Sequence, residues 1–142
     1  MIRIRIFENE AGEIKGFLVE GHAGYAPRGQ DIVCAGVSAL VQAAVLGLRE
    51  FLTRPPQVEA GPEEANLLFK TGKSRAPKIA PKSPRGKGGN VFLKVMLPDS
   101  LGERDREAAK IILETLEMGL RGIALGYRKY VEVRRCRGHD EV

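Results

Sequence analysis

Two side chains able to do covalent chemistry stand near each other early in this 142-residue chain: His22, one of two histidines, and Cys34, one of two cysteines. A thiol beside an imidazole can form a thiolate and imidazolium pair. The sulfur then attacks a peptide carbonyl, and the ring returns its proton to the leaving amine. Gly24, Tyr25, Pro27 and Gly29 lie between the two, which reads as a loop able to turn back on itself. Asp31 and Ser38 flank the cysteine.

The elements on either side determine whether the pair can meet. Ile2, Ile4 and Ile6 alternate with Arg3 and Arg5, the period of a half-buried strand, and Ile14 to Glu20 reads as its hairpin partner across a polar link containing Gly12. His22 then follows a strand end. From Ile32 the apolar spacing changes to threes and fours through Val33, Val37, Leu40, Val41, Ala44, Leu48 and Phe51. This predicts a helix from about Ile32 to Leu52, stopped by Pro55-Pro56. Asp31 stands where an N-cap belongs, and Cys34 falls in the first turn. Unpaired N–H groups and the helix dipole there favour an anion, so such thiols titrate at ~3.5 to 7.5 instead of ~8.5. First-turn N–H groups, that of Cys34 included, could receive the oxyanion.

Further along, Glu64 to Thr71 reads as a third strand, Asn90 to Leu97 as a fourth, Leu101 to Leu125 as a second long helix with Gly126 as its C-cap, and Tyr130 to Val133 as a last strand. Residues 136–142, with Cys136, read as a polar tail. The order ββαββαβ predicts one α/β domain over residues 1–142, a two-layer sandwich with about five strands and two long helices packed on one face. The net charge of +5 is local. Seven of 23 basic residues lie within 70–90, where no acidic residue occurs; elsewhere 16 basic residues face 18 acidic ones. Residues 72–89, rich in Gly, Pro, Ser and Lys, are expected to form a basic flexible loop.

Other chemistry finds less support. Cys136 and His139 lack two further metal ligands, Gly86-Lys87-Gly88-Gly89 lacks the spacing of a P-loop, and no cofactor motif is present. Nothing reads as a signal peptide, and no stretch reads as the ~18 apolar residues of a membrane span. The expectation is a cytoplasmic protein with both cysteines as thiols. Spacing alone leaves alternatives open. Cys34 is either a nucleophile or an inert core residue, Asp31 either a helix cap or the group that orients His22, and Ser38 either a thiol partner or a small helix residue. Three functions fit: a cysteine endopeptidase, a non-catalytic ribosome-associated or RNA-binding module working through residues 70–90, and an acyl or thiol transferase.

One pattern is more specific than these parts. Gly21-His22-Ala23-Gly24-Tyr25-Ala26, Gly29, then Asp31-Ile32-Val33-Cys34-Ala35 and Val37-Ser38-Ala39-Leu40 closely resembles the signature of the ribosomal-processing cysteine proteases, the Prp (YsxB-like) family. The similarity in element order runs from Ile2 to about Val133. The resemblance implies an endopeptidase that removes a short N-terminal extension from a large-subunit ribosomal protein precursor, cutting after an aromatic residue. His22 and Cys34 match the catalytic pair, and Asp31 and Ser38 accessory positions; Gly24, Tyr25 and Gly29, in the loop that spans base and nucleophile, are read as the substrate loop from that position alone. It also implies a homodimer and no cofactor. The segment 72–89 is longer and more basic than that family's strand connection, and contact with ribosomal RNA through residues 70–90 is the expectation it raises.

Overall fold

A computed structural model describes residues 1–21, 31–61 and 91–137. The first strands, β1 (Ile2–Glu8) and β2 (Ile14–Glu20), pair antiparallel as the predicted hairpin. Asn9 shapes the turn: its Oδ1 accepts the N–H groups of Ala11 and Glu13 at 2.9 and 3.0 Å, and Gly12 takes a φ of +85° that disfavours other residues. Phe7 pairs with Gly16 and Glu8 with Ile14, so Lys15 is a bulged extra residue. That bulge lets Ile14 and Phe17, three apart, both face the core, where both are buried.

The helix α1 (Ile32–Phe51) begins and ends within a residue of expectation. Its buried stripe is Val33, Val37, Val41, Ala44, Val45 and Leu48. By length and composition α1 is apolar enough to cross a membrane, which corrects the sequence reading that no such stretch exists. Its inner stripe is nevertheless spent on the protein's own core. After Pro55-Pro56 the chain forms β3 (Gln57–Gly61), then β4 (Phe92–Met96), helix α2 (Glu103–Gly126) and β5 (Val131–Arg137). The third strand expected at 64–71 and the basic segment 72–89 lie outside the described residues. Gln57 to Gly61 was not anticipated as a strand because it is short and follows two prolines.

Two further corrections concern the C-terminal part. Gly126 is the last helical residue, and the cap is Tyr127, whose N–H reaches the carbonyls of Ile123 and Ala124. Cys136 lies in β5 and not in a tail. The run Arg134-Arg135 looks like a strand end, but these arginines leave the edge of the sheet and find carboxylates. Arg135 bonds Glu117 at 2.8 Å and also meets Glu8, while Arg137 reaches Glu8 at 3.3 Å.

The sheet order is β3-β4-β2-β1-β5, antiparallel except for the parallel pair β1 and β5, which runs in register from Ile2↔Val131 to Glu8↔Arg137. Both helices pack on one face, giving the predicted two-layer α/β sandwich in the order ββαββαβ. They are mutually antiparallel: Gly36 lies against Ile123, Leu40 against Gly119 and Gly47 against Ile112. A β-carbon at Gly119 would stand 2.9 Å from Leu40 Cδ1, so the helices approach closely there. Away from that contact, buried Asp105 of α2 accepts the N–H of Thr53 at 3.0 Å and its hydroxyl at 2.8 Å, tying the end of α1 to the start of α2.

Candidate active site

The strand β2 ends at Gly21, whose φ of +91° turns the chain out of the sheet. A β-carbon there would lie 2.5 Å from the carbonyl oxygen of Met1, so both backbone conformation and space call for glycine. The Gly21 N–H donates to the Val91 carbonyl at 3.0 Å, and the Ile2 N–H to that of Tyr130 at 2.8 Å. Gly61 pairs with Phe92, so β3 finishes at this same end of the sheet. The C-terminus of α2 leads into Tyr130 here, and the contact between Gly36 and Ile123 brings the N-terminus of antiparallel α1 to the same place. Strand topology thus delivers Gly21, directly before His22, and Cys34 to one end of the molecule.

At the start of α1, the Asp31 Oδ1 accepts the N–H groups of Val33 and Cys34, each at 3.0 Å, and the Asp31 carbonyl accepts that of Ala35. Asp31 is therefore the helix cap. The same geometry amends one expectation. The Cys34 N–H is engaged by the Asp31 carboxylate, so in this arrangement it does not point at a reacting carbonyl. Cys34 is outside any disulfide, half-buried and packed against the core, in the first turn where the helix dipole favours a thiolate. Ser38 follows one turn on, half-buried on the same side of α1. His22, Gly24, Tyr25 and Gly29 lie outside the described residues.

Cys136 sits opposite Phe7, near the far end of the β1–β5 pair, so the two thiols are at opposite ends of the molecule. Among the described residues no three His, Cys, Asp or Glu side chains converge as a metal site. The electrostatics elsewhere serve the scaffold. Hydrogen bonding from Arg135 holds the Glu117 carboxyl below its ordinary 4.5, Arg106 does the same for Glu13, and the Thr53 hydroxyl lowers Asp105. The partly buried Glu117 also accepts from Arg121 at 3.0 Å.

A family model described as cysteine protease Prp matches residues 1–132. The ribosomal processing cysteine protease Prp of Bacillus subtilis (strain 168) is 26% identical over 133 residues, spanning 94% of this chain and 96% of the relative. Two solved structures share the fold. One is an essential ribosomal processing protease Prp from S. aureus, in complex with a covalently linked product peptide. It matches with a TM-score of 0.66 at 20% identity, over 96% of this chain and 100% of that one. The other, SMU.848 from Streptococcus mutans, gives 0.68 at 18% identity, over 97% and 96%. The family match takes in β1, β2 and the thiol-bearing helix between them and β3, and on it the chain belongs to the cysteine protease Prp family.

Proposed function

We propose that this cysteine protease removes the N-terminal extension of a large-subunit ribosomal protein precursor, with Cys34 as nucleophile, His22 as acid and base, and the cytoplasm, where its thiols stay reduced, as its place of work. The observation that carries the reading is the position of Cys34. A cysteine thiol in the first turn of α1 stands at the sheet end where β2 releases the chain into His22. Family membership displaces the non-catalytic RNA-binding module and the transferase as accounts of the chemistry.

In this mechanism His22 takes the thiol proton, and the Cys34 sulfur adds to the scissile carbonyl to give a tetrahedral oxyanion. The imidazolium protonates the leaving amine as the C–N bond breaks, which leaves a thioester. Water, deprotonated by the neutral imidazole, then releases the acid product and restores the thiol. Asp31 holds the first turn in shape, and Ser38 is an accessory partner on the same side of the helix. Gly24, Tyr25 and Gly29 belong to the connection that the substrate must pass.

The test is cleavage of a peptide spanning the extension, followed by mass spectrometry. Cys34→Ala should abolish the product while leaving unfolding stability within about 1 kcal/mol, because one small side chain replaces another. Retained cleavage by the alanine variant would refute the assignment.

A second element concerns partners. Gly61 and Val91, between which the basic residues 70–90 run, both sit at the Cys34 end of the sheet. This supports a role for that segment in contacting ribosomal RNA beside the substrate. Deletion of residues 73–88 should weaken binding to ribosomal particles and flatten its dependence on salt, since fewer phosphate contacts mean fewer counterions released. Unchanged binding at all salt concentrations would dismiss the role. We also propose that the protease works as a homodimer.

A further inference from the structure

The side of the sheet away from the helices holds charge that neither the core nor the site uses. Outside residues 70–90 basic and acidic residues nearly balance, but they are unevenly placed: residues 118–137 hold six basic residues and one acid, Glu132. The end of α2 and the strand β5 are thus a basic edge, to which β1 adds Arg3 and Arg5. The parallel register pairs Arg5 with Arg134 and Arg3 with Glu132. Ile2, Ile4, Ile6, Val131 and Val133 turn to the core, so the residues between them face the bare side. Arg5 and Arg134 therefore stand on neighbouring strands about 4.8 Å apart at the backbone, with Leu18 to one side and the sheet edge to the other. Like charges so placed repel and cost stability. Glu132 serves Arg134 at 3.7 Å and Arg3 at 3.8 Å, and Glu20 is the other cross-strand neighbour of Arg3. Among the described residues Arg5, Arg128 and Lys129 meet no carboxylate at ion-pair distance.

Around that edge, between β5 and the end of α2, opens a groove of about 500 Å³. Ala124, Leu125, Val131 and Val133 line it, with Arg121 and Arg128 among them. Leu125 is 69% exposed, an apolar side chain left in water beside two guanidinium groups. A groove of this size takes a nucleoside-sized group. Cations on a bare sheet face, next to an apolar slot set with arginines, match a chain in which phosphates alternate with flat bases. An acidic peptide would meet the cations and leave the slot empty, and a duplex keeps its bases stacked away from it.

We propose that the β1, β5 and α2 edge binds single-stranded RNA. Phosphates lie on Arg134, Arg5 and Lys129, and an unstacked base enters the groove against the Arg121 and Arg128 guanidinium groups. The stripe has a direction. Beyond Arg5 and Arg134 the strands carry Phe7 and Cys136, which are uncharged, so the cations run the other way, past Arg3 to the turn at Arg128 and Lys129. That turn precedes Tyr130, whose carbonyl receives the Ile2 N–H at the Cys34 end of the sheet. Residues 70–90 leave from β3 and β4 at the opposite edge, so this surface is a separate one. The inference goes beyond the proposed cleavage and does not depend on it.

Fluorescence anisotropy of a labelled single-stranded RNA of about 20 nucleotides, titrated with the full chain over a salt series, tests this. Arg5→Gln combined with Arg134→Gln should raise the dissociation constant about 10-fold and reduce the slope of log affinity against log salt by about 1.4, since each phosphate contact on a single strand contributes ~0.7. The melting temperature of that variant should equal or exceed the wild-type value, because two repelling charges are gone. Leu125→Glu, at an exposed position, should weaken the RNA by a similar factor without loss of fold. Lys94→Gln, paired with Glu59 on the other half of the same sheet face, should change affinity by about 2-fold at most. Cleavage of an isolated extension peptide should be unchanged in the arginine variants, so failure of the Cys34 chemistry reads separately. RNA binding that survives the double arginine variant and disappears on deletion of residues 73–88 would overturn the surface and leave that segment as the RNA contact. A wild type that binds a polyglutamate peptide or an RNA duplex as tightly as the single strand would overturn the assignment of the partner.

Discussion

Asp31 does two things with one oxygen. By accepting the N–H groups of Val33 and Cys34 it closes the first turn of α1, and it places a carboxylate within one turn of the thiol. The cap and the charge can be separated by substitution, because asparagine caps about as well as aspartate and carries no charge. Asp31→Ala should cost about 1 kcal/mol in urea unfolding, whereas Asp31→Asn should cost a few tenths at most. If the residue serves only as a cap, the asparagine variant will also keep the wild-type pH profile of peptide cleavage. A displaced profile with intact stability would show that the carboxylate tunes the thiol and imidazole pair. The cap and the placement of Cys34 were both legible in the sequence, because an N-cap is a local matter of residue type and position. The loss of the Cys34 N–H to that cap was not legible, since it depends on which rotamer the carboxylate adopts.

Among the elements, those with strong internal periodicity were readable and those defined by their neighbours were not. The strands β1 and β2 and the helix α1 declare themselves through Ile2, Ile4 and Ile6 and through the stripe from Val33 to Leu48. The strand β3 is a strand because β4 offers it a partner, and β5 continues past Arg134 because Glu117 and Glu8 receive the guanidinium of Arg135. Asp105 is likewise an unremarkable first-turn acid until Thr53 is brought to it. The contact between α1 and α2 gives a test at this scale. Gly119→Val would drive branched carbon into Leu40, in a close-packed layer with little room to yield, and should cost on the order of 1–3 kcal/mol. Leu48→Ala, at a fully buried position, should cost about 2–5 kcal/mol through lost burial and a cavity. Denaturant titration measures both, and Gly122→Val, facing open space, serves as the comparison.

Over the whole molecule, carboxylates join elements that are distant in sequence. Glu117 is shared by Arg121 on its own helix and Arg135 on β5, and Glu13 of the hairpin meets Arg106 of α2 at 2.9 Å. Glu13, Asp105 and Glu117 all have carboxyl groups held below their ordinary values in the fold. Their contribution to stability is complete above about pH 4.5. It declines as pH falls through the lowered native values, because the unfolded chain then binds more protons than the native one. Glu117→Gln should therefore be less stable than wild type at pH 7, and its stability should fall less steeply between pH 5 and 3. Chemical unfolding at a series of pH values would show the two curves converging on the acid side.

The parallel pairing of β1 with β5 also governs how the protein is made. Ile2 can find Val131 only after the residues up to β5 have left the ribosome, so the sheet stays open along β1 until β5 emerges. Contacts of such long sequence separation are slow to form. Meanwhile the alternating isoleucines of β1 form a bare strand edge, the kind of surface that pairs wrongly with other chains, and Arg3 and Arg5 provide the charge that discourages it. A protease proposed to mature ribosomes would thus complete its own sheet only after β5 has emerged from one.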